Sequence, residues 1–438
     1  MENIRKSFHS KPEASVINYR LTGERVNEDS WESLLIRCSD EADLSKVITN
    51  WGRRAENGEK FMKFIHLSDL HIGKRVNEFS MLEDQKYILA QILELVERER
   101  ADGVILAGDL YDKPVPPAEA VRVLDVFLTR LAEMGVPVFA VSGNHDSAER
   151  VAFGAQLFSS RGVYLSPVYD GKVESISLTD CFGEVRVYLL PFVKPAAVRH
   201  VFESEEIDSY EDAVRTAVEH MEIDPSVRNV LVAHQFVTGA ARCESEEILV
   251  GGLDNVDAAV FDGFDYVALG HLHSPQHVGR ETVRYCGTPL KYSFSEAEQE
   301  KSVTVAELKK KGDVEIRRIP LKPLRDMRRI RGTYMEVTDR AFYQDTNTED
   351  YVQITLTDEE DVPDGLQKLR VIYPNLMRLE YDNRRTRESG NVSGACEVEQ
   401  KSELELFGEF YELQNNQAMS EKQEAFVREL IRKVQERG

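Results

Sequence analysis

Three short apolar runs, each ending abruptly in acids, imidazoles or a carboxamide, constrain this chain more than any other feature. Phe64–Leu67 leads into SDLHIG, Val104–Leu106 into AGDLYD and Val136–Val141 into SGNHD. A short apolar run bounded by Gly and Asp reads as a strand buried on both faces. Open α/β sheets bind ligands outside the carboxyl ends of their strands. Three loops can therefore converge there and bring Asp69, His71, Asp109, Asn144 and His145 to one place. Two later segments, VAHQ (Val232–Gln235) and LGHLH (Leu269–His273), add His234, His271 and His273.

Asp69, His71, Asp109, Asn144, His234, His271 and His273 offer oxygen and imidazole donors and no thiolate. Such a set suits Mn²⁺, Fe²⁺ or Zn²⁺. Asp69 and His71 are two apart, as are His271 and His273. In extended chain that spacing points both side chains of a pair the same way. Seven ligands exceed what one ion needs; they suit two ions about 3.5–4 Å apart that share a carboxylate. An ion pair of this kind clamps phosphate oxygens and acidifies a water held between the ions. Half of the ten histidines fall in these blocks, whereas His9, His66, His200, His220 and His277 read as structural.

The chain of 438 residues is long enough for two or three domains with real cores. No apolar run approaches the length of a membrane span. Cys38, Cys181, Cys243, Cys286 and Cys396 are odd in number and never form CxxC, which fits free thiols in a reducing cytoplasm. A net charge of −22 disfavours indiscriminate adhesion to DNA. An enzyme acting on DNA with this charge must use a local basic patch, its metal ions or a partner. Basic residues do concentrate at Lys309, Lys310, Lys311, Arg317, Arg318, Lys322, Arg325, Arg328, Arg329 and Arg331. They read equally as phosphate contacts or as a solvated hairpin and linker, with Pro320 and Pro323 in favour of the latter.

From Met62 strand and helix patterns alternate. Ser80 and Glu83 form a candidate capping box before Leu82, Leu89, Ile92 and Val96 at helical spacing. A helix over Ala118–Met134 ends at Gly135, and another is expected over Ala148–Ser160. Strands follow at Val173–Leu178, Val185–Leu190, Asn229–Ala233, Phe264–Leu269, Thr282–Cys286, Ser302–Leu308 and Val314–Ile319, with a helix near Tyr210–Met221. This predicts an α/β two-sheet sandwich flanked by helices, with the ligands at one edge. A small α+β unit follows, with strands at Tyr334–Val337, Tyr351–Leu356 and Leu376–Tyr381 and a helix at Asp364–Ile372. Leu404–Gln414 and Ala425–Val434 read as two amphipathic helices.

DxH, GDxxD, GNHD, a lone His after a strand and GHxH, in that order, resemble the calcineurin-like metallophosphoesterases. HLSDLHIGKR, SGNHDSAERVAFG, LGHLHSPQ and YCGTPLKYSFSEAEQEKS are more closely similar to the SbcD family, the nuclease subunits of bacterial SbcCD complexes related to the Mre-eleven nucleases. The resemblance runs from about Met62 to near the C-terminus and implies the following. Asp69, His71, Asp109 and His273 hold one cation; Asp109, Asn144, His234 and His271 hold the second; the metal is Mn²⁺. His145 is the catalytic imidazole that stabilises the transition state or protonates the leaving 3′ oxygen, and Asp146 fixes its loop or orients it. Asp112 stands where some relatives have His, and is expected to orient rather than to react.

The resemblance further implies 3′→5′ exonuclease action on duplex ends and endonuclease action on single strands or hairpins. It places these in DNA repair, recombination and replication, in the bacterial cytoplasm, with DNA and an SbcC-like coiled-coil ATPase as partners. A homodimer within a heterotetramer is the implied assembly. The expected domains are the phosphoesterase at 62–320, a capping domain at 321–383, a linker at 384–400 and partner-binding helices at 401–438. Residues 1–61 fit none of this; either the natural start is Met62 or they are a genuine extra segment. Two rivals remain: a phosphoesterase for small nucleotides or phosphoproteins, and a non-catalytic assembly subunit.

Overall fold

A computed structural model describes residues 61–240, 255–384 and 386, and toward the C-terminus 404, 407–408, 411–412 and 418–435. All lie in the compact unit Val47–Gly438; the other unit, Met1–Lys46, is outside the described residues. The expectations for residues 1–60 and for nearly all of the 384–400 linker therefore fall outside them too.

The first sheet begins with β1 (Met62–Leu67), β2 (Gly103–Ala107), β3 (Val138–Val141) and β4 (Val163–Leu165). The second holds β5 (Ser175–Asp180), β6 (Gly183–Leu190), β7 (Arg228–His234), β8 (Tyr266–Gly270), β9 (Gln276–Val278) and β10 (Arg280–Tyr285). The chain then returns to the first sheet with β11 (Ser302–Leu308) and β12 (Val314–Pro320). The sheet orders are β12-β11-β1-β2-β3-β4 and β9-β10-β8-β7-β6-β5. β1 to β4 are mutually parallel, as are β6, β7, β8 and β10. Parallel strands with both faces covered are apolar over most of their length; β2, β3, β7 and β8 are buried at every position, with the polar residues of β7 confined to its ends, Arg228, Asn229 and His234.

Phe64, Ile105 and Phe139 of the first sheet face Val187, Val230 and Tyr266 of the second, forming the inter-sheet core. Each such side chain contributes about 1.5–3 kcal/mol on burial. Helix α1 (Leu82–Glu99) buries Ile88, Leu89, Ile92, Leu95 and Val96, and α2 (Ala118–Glu133) buries Val123, Leu124, Phe127 and Leu131. Gly135, at φ +68°, follows α2 as expected. The Ser80–Glu83 capping box does not form: α1 starts one residue later, with Met81 at its N-cap and no side-chain bond there. The helix expected over Ala148–Ser160 is two short ones, α3 (Ala148–Val151) and α4 (Ala155–Ser159), because Gly154 turns left-handed between them. Helix α5 (Tyr210–Glu219) is closed by a Ser209–Asp212 capping box and packs Val214 and Ala217 into the core outside the second sheet.

Three parallel strands, β13 (Met327–Gly332), β14 (Tyr351–Leu356) and β15 (Leu376–Tyr381), form a separate small sheet. Ile330, Val352, Ile354, Leu356, Leu369 and Tyr373 give it its own core. Tyr334–Val337 is not a strand: Tyr334–Thr338 is helical, because Thr333 and Glu336 cap it reciprocally. The missing third strand is β13, hidden in the basic run. Arg325 and Tyr351 join this unit to the phosphoesterase, at 2.7 and 2.8 Å from the buried Asp84.

Of the ten basic residues from Lys309 to Arg331, six pair with internal acids. Lys309 meets Glu315, Lys311 Asp265, Arg317 Glu99, Arg325 Asp84, Arg328 Asp350 and Arg331 Asp382. More than half of the run thus already has an acidic partner within the chain. Near the C-terminus Leu404, Phe407, Gly408, Tyr411 and Glu412 are helical, and α6 spans Glu421–Gln435. Phe426 is 67% and Leu430 52% exposed. No helix among the described residues is long and apolar enough to cross a membrane.

Candidate metal centre

The carboxyl ends of β1, β2, β3, β7 and β8 open on one edge, and the five ligand-bearing segments meet there. Side-chain donors of Asp69, His71 and His273 lie within 4.8 Å of one another. So do those of Asp69, Asp109 and His234, and those of His71, Asp109 and His145. Asn144 completes the cluster: its Oδ1 is 2.9 Å from His234 Nε2 and 3.0 Å from His271 Nδ1. All seven expected ligands and His145 are thus in one place.

Two backbone devices make the convergence possible. Asp69, His71, Asp109 and His271 adopt φ of 53°, 44°, 49° and 105°, so the chain turns sharply as it leaves each strand. Main-chain bonds lock those turns: Asp69 N donates to Gly108 O at 3.0 Å and His71 N to Asp109 O at 2.9 Å. Gly143 and Gly270 permit the close approach of neighbouring loops. A Cβ on Gly143 would sit 2.1 Å from Asp109 Oδ1, and one on Gly270 1.8 Å from the Ala107 carbonyl.

Three of the imidazoles, those of His234, His273 and His145, are aimed by their second nitrogen. His234 Nδ1 is 2.8 Å from the Ala107 carbonyl oxygen, so it carries the proton and Nε2 faces the site. His273 Nδ1 is 3.4 Å from Glu296 Oε1, while its Nε2 lies 3.2 Å from His71 Nε2. His145 Nδ1 is 3.2 Å from the Asp112 carbonyl, and its Nε2 points toward Asp109 Oδ2 at 4.0 Å.

Burial, reinforced by Asp109, raises the Asp69 carboxyl to about 6 against the pull of His234 and His273. Burial also acts to raise Asp109, but His234, His71 and His145 outweigh it and hold that carboxyl well below the usual range. Burial acts to lower His234, yet Asp109 and Asp69 raise it to about 9. Burial keeps His71 neutral, well below its ordinary value. Asp69 and Asp109 are 0% and 2% exposed and have no Lys or Arg partner among the described residues. His71 Nδ1 is buried without a hydrogen-bond partner. Two buried carboxylates facing imidazole nitrogens, with the His234 proton and no Lys or Arg as their counter-charge, form a donor set in which a divalent cation fits in that proton's place.

Asp112 meets His145 through its backbone, and its carboxylate lies 3.9 Å from His71 Nδ1. Its carboxylate is tied to Lys74 Nζ at 2.8 Å, while its carbonyl holds His145. Asp146 fixes loops and does not touch His145: its carboxylate accepts from the backbone N–H groups of Leu110, Tyr111 and Gly143 at 3.0, 2.9 and 2.9 Å. Sequence reasoning missed Ser68, which donates to Asp69, and the buried Glu296–Lys301 pair beneath His273. An acid and a lysine five apart in a polar stretch carry no signal of burial. His66, read as structural, bonds Tyr266 inside the core at 2.9 Å.

Residues 62–275 match the family described as calcineurin-like phosphoesterase, and residues 323–415 that described as type 5 capsule protein repressor C-terminal domain. The chain is 33% identical over 374 residues to the SbcD subunit of the SbcCD nuclease of Staphylococcus epidermidis, covering 84% of this chain and 98% of that one. The chain belongs to the SbcD family. Among solved structures it aligns with a dimetal phosphatase from Danio rerio at 11% identity (60% of this chain, 98% of that one, TM-score 0.38). It also aligns with the E. coli phosphoesterase Yfce at 15% identity (60% and 100%, TM-score 0.25). As an SbcD-family member with a metallophosphoesterase domain, it is a phosphoester hydrolase that uses divalent metal.

Proposed function

We propose that the chain is the nuclease subunit of an SbcCD-like complex, cleaving DNA phosphodiesters with two divalent cations, Mn²⁺ foremost. One observation carries the reading: seven donor residues from five segments converge, two of them buried carboxylates that have no Lys or Arg partner among the described residues. Asp69, His71, Asp109 and His273 would hold one ion, and Asp109, Asn144, His234 and His271 the other. Such ions neutralise phosphate oxygens and acidify a water between them. The neutral Asn144 limits negative charge where phosphate must approach. His145, with Nδ1 held by Asp112 O, keeps Nε2 toward the reacting centre to protonate the leaving 3′ oxygen.

The finer activity is 3′→5′ exonuclease action on duplex ends with endonuclease action on single strands and hairpins, serving DNA repair, recombination and replication. The partner is an SbcC-like coiled-coil ATPase, bound through the apolar C-terminal helices, in an assembly with two copies of each subunit. The exposed Phe426 and Leu430 support that docking. Purified protein, with and without the ATPase, is to be incubated with end-labelled hairpin DNA and with a cyclic nucleotide, in Mn²⁺ or Mg²⁺ with ATP. Cleavage of the hairpin, lost in His273→Ala, is the expected result. Turnover of the cyclic nucleotide alone would favour a small-nucleotide phosphoesterase, and activity retained in metal-loaded His273→Ala would overturn the ligand assignment.

A further inference from the structure

Glu296 ends a short 3-10 turn at Phe294–Glu296, outside every ligand-bearing block, and is fully buried. Its Oε1 lies 3.4 Å from His273 Nδ1 and its Oε2 2.5 Å from Lys301 Nζ. The same ammonium, with three N–H groups to share among its neighbours, lies 2.9 Å from the His273 carbonyl, 2.8 Å from Thr288 Oγ1 and 2.9 Å from Gln299 Oε1. Thr288 N–H also donates to the His273 carbonyl, at 3.2 Å. Both the ring and the backbone of His273 therefore hang from one buried ion pair.

We propose that Glu296 and Lys301 are positioning residues for His273, fixing its tautomer and ring angle so that Nε2 presents a lone pair beside Asp69 and His71. The inference rests on the reading of this centre as a cation site. Desolvating a carboxylate and an ammonium together is costly, and packing alone would be met as well by apolar side chains. What an apolar pair cannot do is accept from Nδ1–H while anchoring the same residue's carbonyl. A carboxylate behind a ligating imidazole orients it and raises its basicity. Lys301 also lines a cavity of about 300 Å³ with Leu321, Arg325, Met327 and Tyr351, so its side of the pair borders the place where the small three-stranded unit meets the phosphoesterase.

The test measures Mn²⁺ binding by calorimetry and electron paramagnetic resonance in the full chain, for wild type, Glu296→Gln and the double variant Glu296→Gln/Lys301→Met. The double variant removes both charges, so no lone ammonium is left buried. The expected result is two ions in wild type and a loss of roughly 10- to 100-fold in affinity for one of them in both variants, the other being unchanged. Unchanged affinity for both ions in a folded double variant would overturn the positioning role. A second readout needs no folded variant at 296 or 301: long-range ¹H–¹⁵N spectra of metal-free wild type, with His273 assigned by its absence in His273→Gln. A His273 protonated on Nδ1 supports the proposal; one protonated on Nε2 overturns it. Wild type that takes up no Mn²⁺ would remove the cation reading and this inference together, whereas two ions with unaltered affinities would remove only the inference.

Discussion

Replacing Asp146 by Ala tests whether the loops that carry Asp109 and Asn144 are held by one side chain that ligates nothing. The carboxylate accepts three backbone N–H bonds, two from the loop after β2 and one from the loop after β3. The vacated N–H groups of Leu110 and Gly143 are buried, so about 1 kcal/mol per bond is the least the loss costs. The sum is about 3 kcal/mol, or a fall in melting temperature of about 6–12 °C for a domain of this size. Asp146→Asn keeps one acceptor oxygen and should lose about half as much. The assay is differential scanning calorimetry with a chelator present, so that cation binding does not contribute. Activity should fall as well, by roughly 100-fold in the Ala variant, because a shift near 1 Å in a reacting group has that effect. A melting temperature for Asp146→Ala equal to wild type, with activity intact, would refute the reasoning.

Cation binding should release protons. His234 is raised to about 9, so in metal-free protein its stabilising contribution is complete below 6.5 and lost as pH rises through 9. A cation must displace that proton, and affinity should rise about tenfold per pH unit between 6 and 9. Below 6 the Asp69 proton competes too and the slope should steepen; titration calorimetry in buffers of differing ionisation enthalpy reads the count, and no proton release at pH 7.5 would contradict it. His145→Gln should lower turnover by roughly 100- to 10,000-fold with metal stoichiometry intact. Asp112→Asn should lose far less, since only its carbonyl touches His145; equal losses in steady-state kinetics would make Asp112 a reacting group. Gly270→Ala should destabilise the protein by about 3 kcal/mol or more, because the new Cβ collides with the Ala107 carbonyl and forces the His234 bond apart; chemical denaturation measures it.

The ligand-bearing loops were legible because each begins where an apolar run stops, and β11, β14 and β15 fall on the residues expected of them. Interactions between distant segments were not legible. The basic run looks like a surface patch until Glu99, Asp265, Asp84, Asp350 and Asp382 are seen facing it. Those arginines also disguised β13, whose apolar members are only Met327 and Ile330. Tyr334–Val337 has the composition of a strand, but a local threonine–glutamate cap decided for helix. Glu296 and Lys301 escaped notice because burial of an ion pair depends on the tertiary partner His273 and not on neighbours in the chain.

The left-handed turns at Asp69, His71, Asp109 and His271 have a practical corollary for anyone disabling the enzyme. Side chains in that conformation carry strain of about 1–3 kcal/mol each, tolerated best by Asp, Asn and His. An alanine knock-out at Asp109 would keep the strain while discarding the group that gave it purpose. Glycine at the same position would relax the main chain, and an inert Asp109→Gly protein should therefore be sturdier than its alanine counterpart and the better scaffold for trapping an uncut substrate.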